Sequence, residues 1–265
     1  MPDSKLSYAT LTVDYDGMLA VLTLNRPEKR NAISYELIDD MLRALAEIEM
    51  SPAQIVILTG AGKAFCSGMD LENLRSITGR TQEQNRSDSA TMALLFRTLY
   101  EFPKITIAAV NGPAIAGGCG LATLCDFTLA SMEAKFGYTE VRIGFIPAIV
   151  STFLLRQVGE KQARDLLLTG RIITADEAFR LGLANEVVPP DSLLDRAREL
   201  AASLLENSPA SLLATKRLLK SFSSGELAAQ IPIAVEENAR IRSTADFREG
   251  VSSFLEKRNP RWTGK

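Results

Sequence analysis

The chain has 265 residues, 46% hydrophobic and 23% charged, enough to bury a core as one soluble domain with a helical appendage and too apolar to be disordered as a whole. A formal net charge of -2 and a pI near 5.5 provide no general attraction for nucleic acid or anionic lipid, so an anionic ligand has to be held locally. Histidine is absent, which excludes the usual general base, the usual zinc ligand and every Ser-His-Asp arrangement, and leaves proton chemistry to Asp, Glu, Lys, Tyr or Cys.

The N-terminal MPDSKLSYAT carries Asp3 and Lys5 and no apolar run, so it does not read as a secretory leader and a cytoplasmic protein is expected. Alternating apolar residues in LTVDY and LAVLTL flank Asp16-Gly17, which predicts a β-hairpin with a type I′ turn. Ser34 is placed to cap a helix with its apolar face on Leu37, Ile38, Met41, Leu42, Leu45 and Ile48, ended by Ser51-Pro52. IVILTG then reads as a buried strand. Residues 78–89 are polar and read as a mobile surface loop, followed by a helix over 90–101.

ITIAAVNG and FTLA read as two more buried strands, so that strand, small-residue loop and helix recur at roughly fifty-residue spacing, as in stacked βα units wound into a spiral. Residues 105–125 carry no charge, yet Asn111, Pro113 and four glycines make strand, turn and short helix a better reading than a membrane span. Thr174-x-x-Glu177 is a capping-box pattern, Gly182 can end that helix, and ANEVV is a further strand. Beyond Pro189-Pro190 helices are predicted over 192–206, 209–221, 226–243 and 246–256. The expected architecture is therefore an α/β core over 1–191 with a helical region over 192–265. Cys66, Cys119 and Cys125 show no C-x-x-C spacing and read as small buried hydrophobes, and no metal site is expected.

Two Gly-rich turns follow buried strands, GAGKAFCSGMD after IVIL and NGPAIAGGCG after ITIAAV. Each can either present backbone N–H groups at a helix start or merely allow close strand-helix packing, and neither completes a nucleotide-binding fingerprint. Together they resemble the two signature segments of the enoyl-CoA hydratase/isomerase (crotonase) family: IVILTGAGKAFCSGMDL the first, AAVNGPAIAGGCGLATLCDFTLA the second. FGYTEVRIGFIP, LTGRIITADEAFRLGLANEVV and EGVSSFLEKR extend the resemblance over nearly the whole chain.

The resemblance implies a crotonase-like spiral of repeated ββα units with a C-terminal helical oligomerisation region, assembled as a homotrimer or hexamer. It implies an acyl-CoA substrate, with coenzyme A as part of that substrate and no other cofactor. The oxyanion hole falls on the N–H groups of Met69 and Gly117, and a substrate-binding surface on Lys29, Ala32, Gly68, Asp70, Leu71, Gly118, Gly120 and Thr139. Glu140 falls on the second of two catalytic glutamate positions. Its apolar neighbours Phe136, Val141, Ile143, Phe145 and Ile146 are expected to raise its pKa by desolvation, against the plainer possibility of an ion pair with Arg142 or another arginine.

The first glutamate position holds Gly120, a departure from the two-glutamate hydratases. GGCGL with TEVRIGFIPAIVS resembles bacterial methylglutaconyl-CoA hydratases, while single-glutamate enoyl-CoA isomerases share the same vacancy, and a catalytically inactive acyl-CoA- or RNA-binding relative stays open too. Eight residues after Glu140, where some relatives place an aspartate, stands Ala148, which leaves no carboxylate nucleophile there. Asp126 is expected to be a satisfied structural carboxylate.

Overall fold

The computed structural model describes residues 5–265, so the N-terminal reading above lies in part outside the described residues. Strand β1 (Lys5–Ser7) runs antiparallel to β2 (Leu11–Asp16), which pairs antiparallel with β3 (Leu19–Leu24). Asp16 stands opposite Leu19, so the turn residues are Gly17 and Met18, one position later than the sequence predicts. Only Gly17 adopts a positive φ, +59°, whereas a type I′ turn needs one at both positions.

Helix α1 (Tyr35–Met50) starts where Ser34 accepts a hydrogen bond from the Leu37 N–H, and buries the predicted face except Leu42, which is half-buried. It leads to β4 (Ile55–Gly60), then to α2 (Leu71–Ile77) and α3 (Gln82–Tyr100). The loop expected over 78–89 is instead largely helical. Thr81 and Gln84 form a reciprocal capping box, which starts the helix eight residues earlier than the apolar pattern alone indicates. Its first turns are polar because most of their residues face solvent, while Asp88 and Ser89 turn inward to polar groups near the end of the chain's longest helix.

Next come β5 (Ile105–Val110), β6 (Ala114–Ile115), α4 (Gly117–Thr123), β7 (Phe127–Ser131), β8 (Lys135–Gly137), α5 (Ala148–Thr169), β9 (Ile173–Thr174), α6 (Ala175–Arg180) and β10 (Glu186–Val188). A seven-stranded sheet has the order β1-β2-β3-β4-β5-β7-β10, parallel from β3 onward, and a second sheet has the order β6-β8-β9. Both faces of the parallel part are covered, which is why these strands are continuously apolar. Leu19, Val21, Ile55, Ile57, Ile105 and Ile107 point to one face; Leu22, Leu24, Val56, Leu58, Ala108 and Val110 point to the main core on the other.

The C-terminal helices are α7 (Leu193–Leu205), α8 (Pro209–Ile241) and α9 (Ala245–Leu255). Through Leu193, Ala197 and Ala201, α7 covers the first sheet face. The two helices expected over 209–243 form one helix that runs through Gly225 and Pro232. Proline there removes one intrahelical hydrogen bond, and burial of Leu227, Ala234 and Val235 in the main core holds the helix together across it. No helix among the described residues is long and apolar enough to cross a membrane. The three cysteines are free and buried, and burial pushes each thiol up to about 12, so they behave as hydrophobes.

Candidate active site

The loop after β4 is clamped on both sides by backbone hydrogen bonds. Cys66 N–H donates to the Pro113 carbonyl at 3.1 Å, and Ile115 N–H donates back to the Cys66 carbonyl at 2.9 Å. On the other side Ile33 N–H donates to the Gly68 carbonyl at 2.7 Å and Asp70 N–H to the Ile33 carbonyl at 2.9 Å. Between these, Met69 N–H makes no hydrogen bond to any described residue. Gly68 sits at φ +87°, and a Cβ there would lie 3.0 Å from the Ile115 carbonyl, so glycine lets the two Gly-rich turns meet.

The second turn carries a strained residue that sequence reasoning missed. Ala116 has φ +52° and ψ -125°, a conformation that costs a non-glycine residue on the order of 1–3 kcal/mol. Its N–H is tied to the Gly137 carbonyl at 2.7 Å. The next N–H, that of Gly117 at the first position of α4, makes no hydrogen bond among the described residues. Met69 and Gly117 thus present two unpaired backbone donors to one cavity.

Glu140 opens a short 3-10 turn (Glu140–Ile143) after β8 and the two residues Tyr138 and Thr139, and its carbonyl is pinned by Phe145 N–H at 3.1 Å. The side chain is 8% exposed and forms no ion pair among the described residues, which removes the alternative of a pair with Arg142. One carboxylate oxygen, Oε2, is buried without a partner. Burial pushes the carboxyl up to about 7, offset only in part by its own backbone N–H. A carboxylate half-ionised at neutral pH can both accept and return a proton.

The cavity around these groups has a volume of about 1030 Å³. Of the sequence-predicted residues, Lys29, Ala32, Met69, Asp70, Leu71, Gly117, Thr139 and Glu140 line it, whereas Gly68, Gly118 and Gly120 do not. Gly68 and Gly118 let backbone segments pack: a Cβ on Gly118 would lie 2.2 Å from the Cys66 carbonyl oxygen. A Cβ on Gly120 would lie 2.6 Å from Val150 Cγ1 and 3.3 Å from Phe96 Cζ, so the space beside the first glutamate position is filled by hydrocarbon. Asp70 has its carboxylate occupied, by Arg26 at 2.9 Å and by the Glu72 N–H at 2.9 Å, which cap α2 and fix the loop. Lys29 pairs with Glu72 at the exposed rim. Ala148 lines the cavity where other chemistry would need an acid, and Asp126 lies outside it, bound by the Thr106 N–H, the Thr106 hydroxyl and Lys216.

The match to known proteins covers the same parts. The family model for enoyl-CoA hydratase/isomerase matches residues 14–265. The chain belongs to the enoyl-CoA hydratase/isomerase family. It is 47% identical over 247 residues to a putative enoyl-CoA hydratase of Thermus thermophilus, covering 93% of this chain and 98% of that one. It is 34% identical to the crotonyl-CoA hydratase of Syntrophomonas wolfei, covering 98% and 100%. A crystal structure of an enoyl-CoA hydratase/isomerase from Xanthobacter autotrophicus Py2 superimposes with a TM-score of 0.88 at 30% identity, covering 97% of this chain and 100% of that one. The crotonase fold expected from the signature segments is therefore the fold observed.

Another part of the cavity wall comes from positions that sequence reasoning did not single out. Met92 and Phe96 of α3, Asn238 and Arg242 of α8, and Phe254 and Lys257 at the end of α9 all line it. The helix expected over 90–101 already contains Met92 and Phe96, and the capping box at Thr81 extends it to Ser89; no local signal joins the α8 residues to partners about 150 positions away.

Proposed function

We infer that this chain hydrates 2-enoyl-CoA thioesters, with Glu140 as its only acid-base group. The observation that carries the reading is that two unpaired backbone N–H donors and one buried carboxylate near neutrality share a single cavity. The thioester oxygen sits between the N–H groups of Met69 and Gly117. As water adds to C3, negative charge collects on that oxygen, and donors fixed in advance in a dry site stabilise it better than mobile water does. Ionised Glu140 takes one proton from the attacking water while its oxygen bonds to C3. The same proton then passes to C2, which restores the thioester carbonyl and ionised Glu140. No cofactor enters this chemistry, and coenzyme A arrives with the substrate, along the rim formed by Lys29 to Ala32 and by Leu71.

The pattern TEVRIGFIPAIVS favours methylglutaconyl-CoA as the acyl group, and with it a role in leucine breakdown. One observation favours a second reading, double-bond migration between C2 and C4. The 120 position is packed against Val150 and Phe96 and offers no second carboxylate, and a lone base suits that shuttle. Assaying crotonyl-, 3-methylcrotonyl-, methylglutaconyl- and 3-enoyl-CoA esters separates them. Hydration of at least one 2-enoyl ester is expected; conversion of 3-enoyl to 2-enoyl ester with no water added to any makes the chain an isomerase, and binding without turnover makes it an inactive relative. A cytoplasmic homotrimer or hexamer belongs to the same reading, supported by the exposed apolar residues Leu218, Leu219 and Phe222 on α8. Light scattering at micromolar concentration should give at least a trimeric mass, and a monomeric mass would refute the assembly.

A further inference from the structure

The cavity has a second polar end, formed where α3 packs against α8. Arg242 is 3% exposed and Asn238 5%, and both line the cavity. The Asn238 side-chain oxygen accepts from the Ser89 hydroxyl at 2.6 Å and from an Arg242 terminal nitrogen at 2.8 Å. That fixes the amide orientation and leaves Asn238 Nδ2 without a hydrogen bond to any described residue. The other terminal nitrogen of Arg242 pairs with Asp88, and Arg242 Nε is buried with no partner. The guanidinium lies over the Phe145 ring, 5.3 Å from its centroid, on the wall that begins at Glu140.

Charge is unbalanced in this cluster. Arg80, 3.3 Å from Asp88, and Arg242 both pair with that one buried carboxylate, so two guanidinium groups share a single negative charge. A buried arginine donor left unpaired beside an unpaired amide donor is costly, and an acceptor that carries negative charge relieves both deficits at once. Along α3 the arrangement has a scale. Phe96 packs 3.5 Å from where a Cβ on Gly117 would stand, next to one of the free N–H donors. Ser89 is two turns earlier on the same helix, roughly 10 Å away, with Met92 lining the stretch between. The cavity is polar at the thioester, apolar along Met92, and polar and cationic again beyond it.

We propose that Arg242 and Asn238 form a carboxylate-binding subsite for the far end of the acyl group, so that the enzyme selects CoA esters of unsaturated dicarboxylic acids over monocarboxylic ones of equal length. The proposal rests on the acyl-CoA reading above and names its substrate class. A medium-length acyl chain places C1 at Met69 and Gly117 and its terminal carboxylate at Arg242 Nε and Asn238 Nδ2.

The test uses equilibrium binding of saturated esters, which do not turn over, to the full chain: glutaryl-CoA against pentanoyl-CoA, and adipyl-CoA against hexanoyl-CoA. In at least one pair the dicarboxylic ester should bind about 10- to 100-fold more tightly, the worth of one or two charged hydrogen bonds. Asn238→Leu and Arg242→Gln should each bring that ratio toward one. Equal or weaker binding of both dicarboxylic esters overturns the proposal, as does a ratio that survives both substitutions, or an Arg242→Gln variant that weakens every ester and free CoA alike. If Arg242→Gln does not fold, the wild-type ratios and Asn238→Leu still decide. Hydration of glutaconyl-CoA and 2-pentenoyl-CoA is measured separately: discrimination in binding without any hydration sinks the hydratase reading and leaves the subsite standing.

Discussion

The two ends of the cavity are built in different ways. At the end proposed for the thioester the donors are main-chain N–H groups of Met69 and Gly117, presented by the turns that follow β4 and β5 and held by local hydrogen bonds. At the α3–α8 end the polar atoms belong to side chains brought together from positions such as Ser89 and Asn238, 149 residues apart. Main-chain donors survive most side-chain substitutions, whereas side-chain donors are lost with one. The first end therefore suits chemistry that is the same for every acyl group, and the second suits a choice among acyl groups.

Breaking the thioester end should have the largest effects. Glu140→Gln keeps the shape of the side chain and removes the base, and should lower turnover by about 100- to 10,000-fold. Steady-state kinetics on the best ester of the panel measures it, with circular dichroism to show that the variant folds; unchanged turnover would remove Glu140 from the mechanism. Gly117→Pro deletes one donor at the first helical position, where proline is tolerated, and should cost on the order of 100- to 1000-fold. Met69→Leu leaves its N–H in place and is the control, expected to stay within several-fold of wild type. Equal losses in both variants would mean that side-chain packing, not the two N–H groups, sustains the rate.

The contrast sharpens at position 120. In Gly120→Glu the new Cβ would stand 2.6 Å from Val150 Cγ1 and 3.3 Å from Phe96 Cζ. Overpacking alone should destabilise the fold by about 1–3 kcal/mol, read as a fall in the denaturant midpoint. Adding Val150→Gly should recover part of that loss. A Gly120→Glu variant as stable as wild type would show that the space beside α4 is open.

Much of the thioester end was legible in the sequence because its determinants are local: a buried strand, a Gly-rich turn and a glutamate among apolar residues lie within short segments. The hairpin, the Ser34 cap and the buried strands follow from patterns with periods of two and 3.6. What escaped has physical reasons too. Ala116 gives no sign of its positive φ, since alanine ordinarily avoids it and backbone bonds to Gly137, Cys119 and Gly120 hold it there. The start of α3 looked like a loop because its polar residues give no apolar periodicity: most face water, and the two that turn inward, Asp88 and Ser89, answer to Arg242 and Asn238. The 33-residue length of α8 was hidden by the polar stretch Ser223-Ser224-Gly225, which tertiary packing overrides. Gly120 reads as a missing side chain, but Val150, thirty residues on, fills its place.

Burial holds Glu140 near neutrality, which suits it to be the acid and base of the proposed reaction. Its folded-state pKa of about 7 lies above the ordinary 4.5, so the carboxyl binds its proton more tightly in the folded state than in the unfolded one. Stability tied to this group is full below pH 4.5 and is lost as pH rises to about 7, a change on the order of 3 kcal/mol. Activity runs the opposite way, because the ionised form must accept the proton of the attacking water. The pH dependence of kcat/KM, measured from pH 5 to 9 on the best substrate, tests this most directly. The rate should fall about tenfold per unit below an inflection near pH 7 and be flat above it. An inflection near 4.5, or the same inflection persisting in Glu140→Gln, would contradict it.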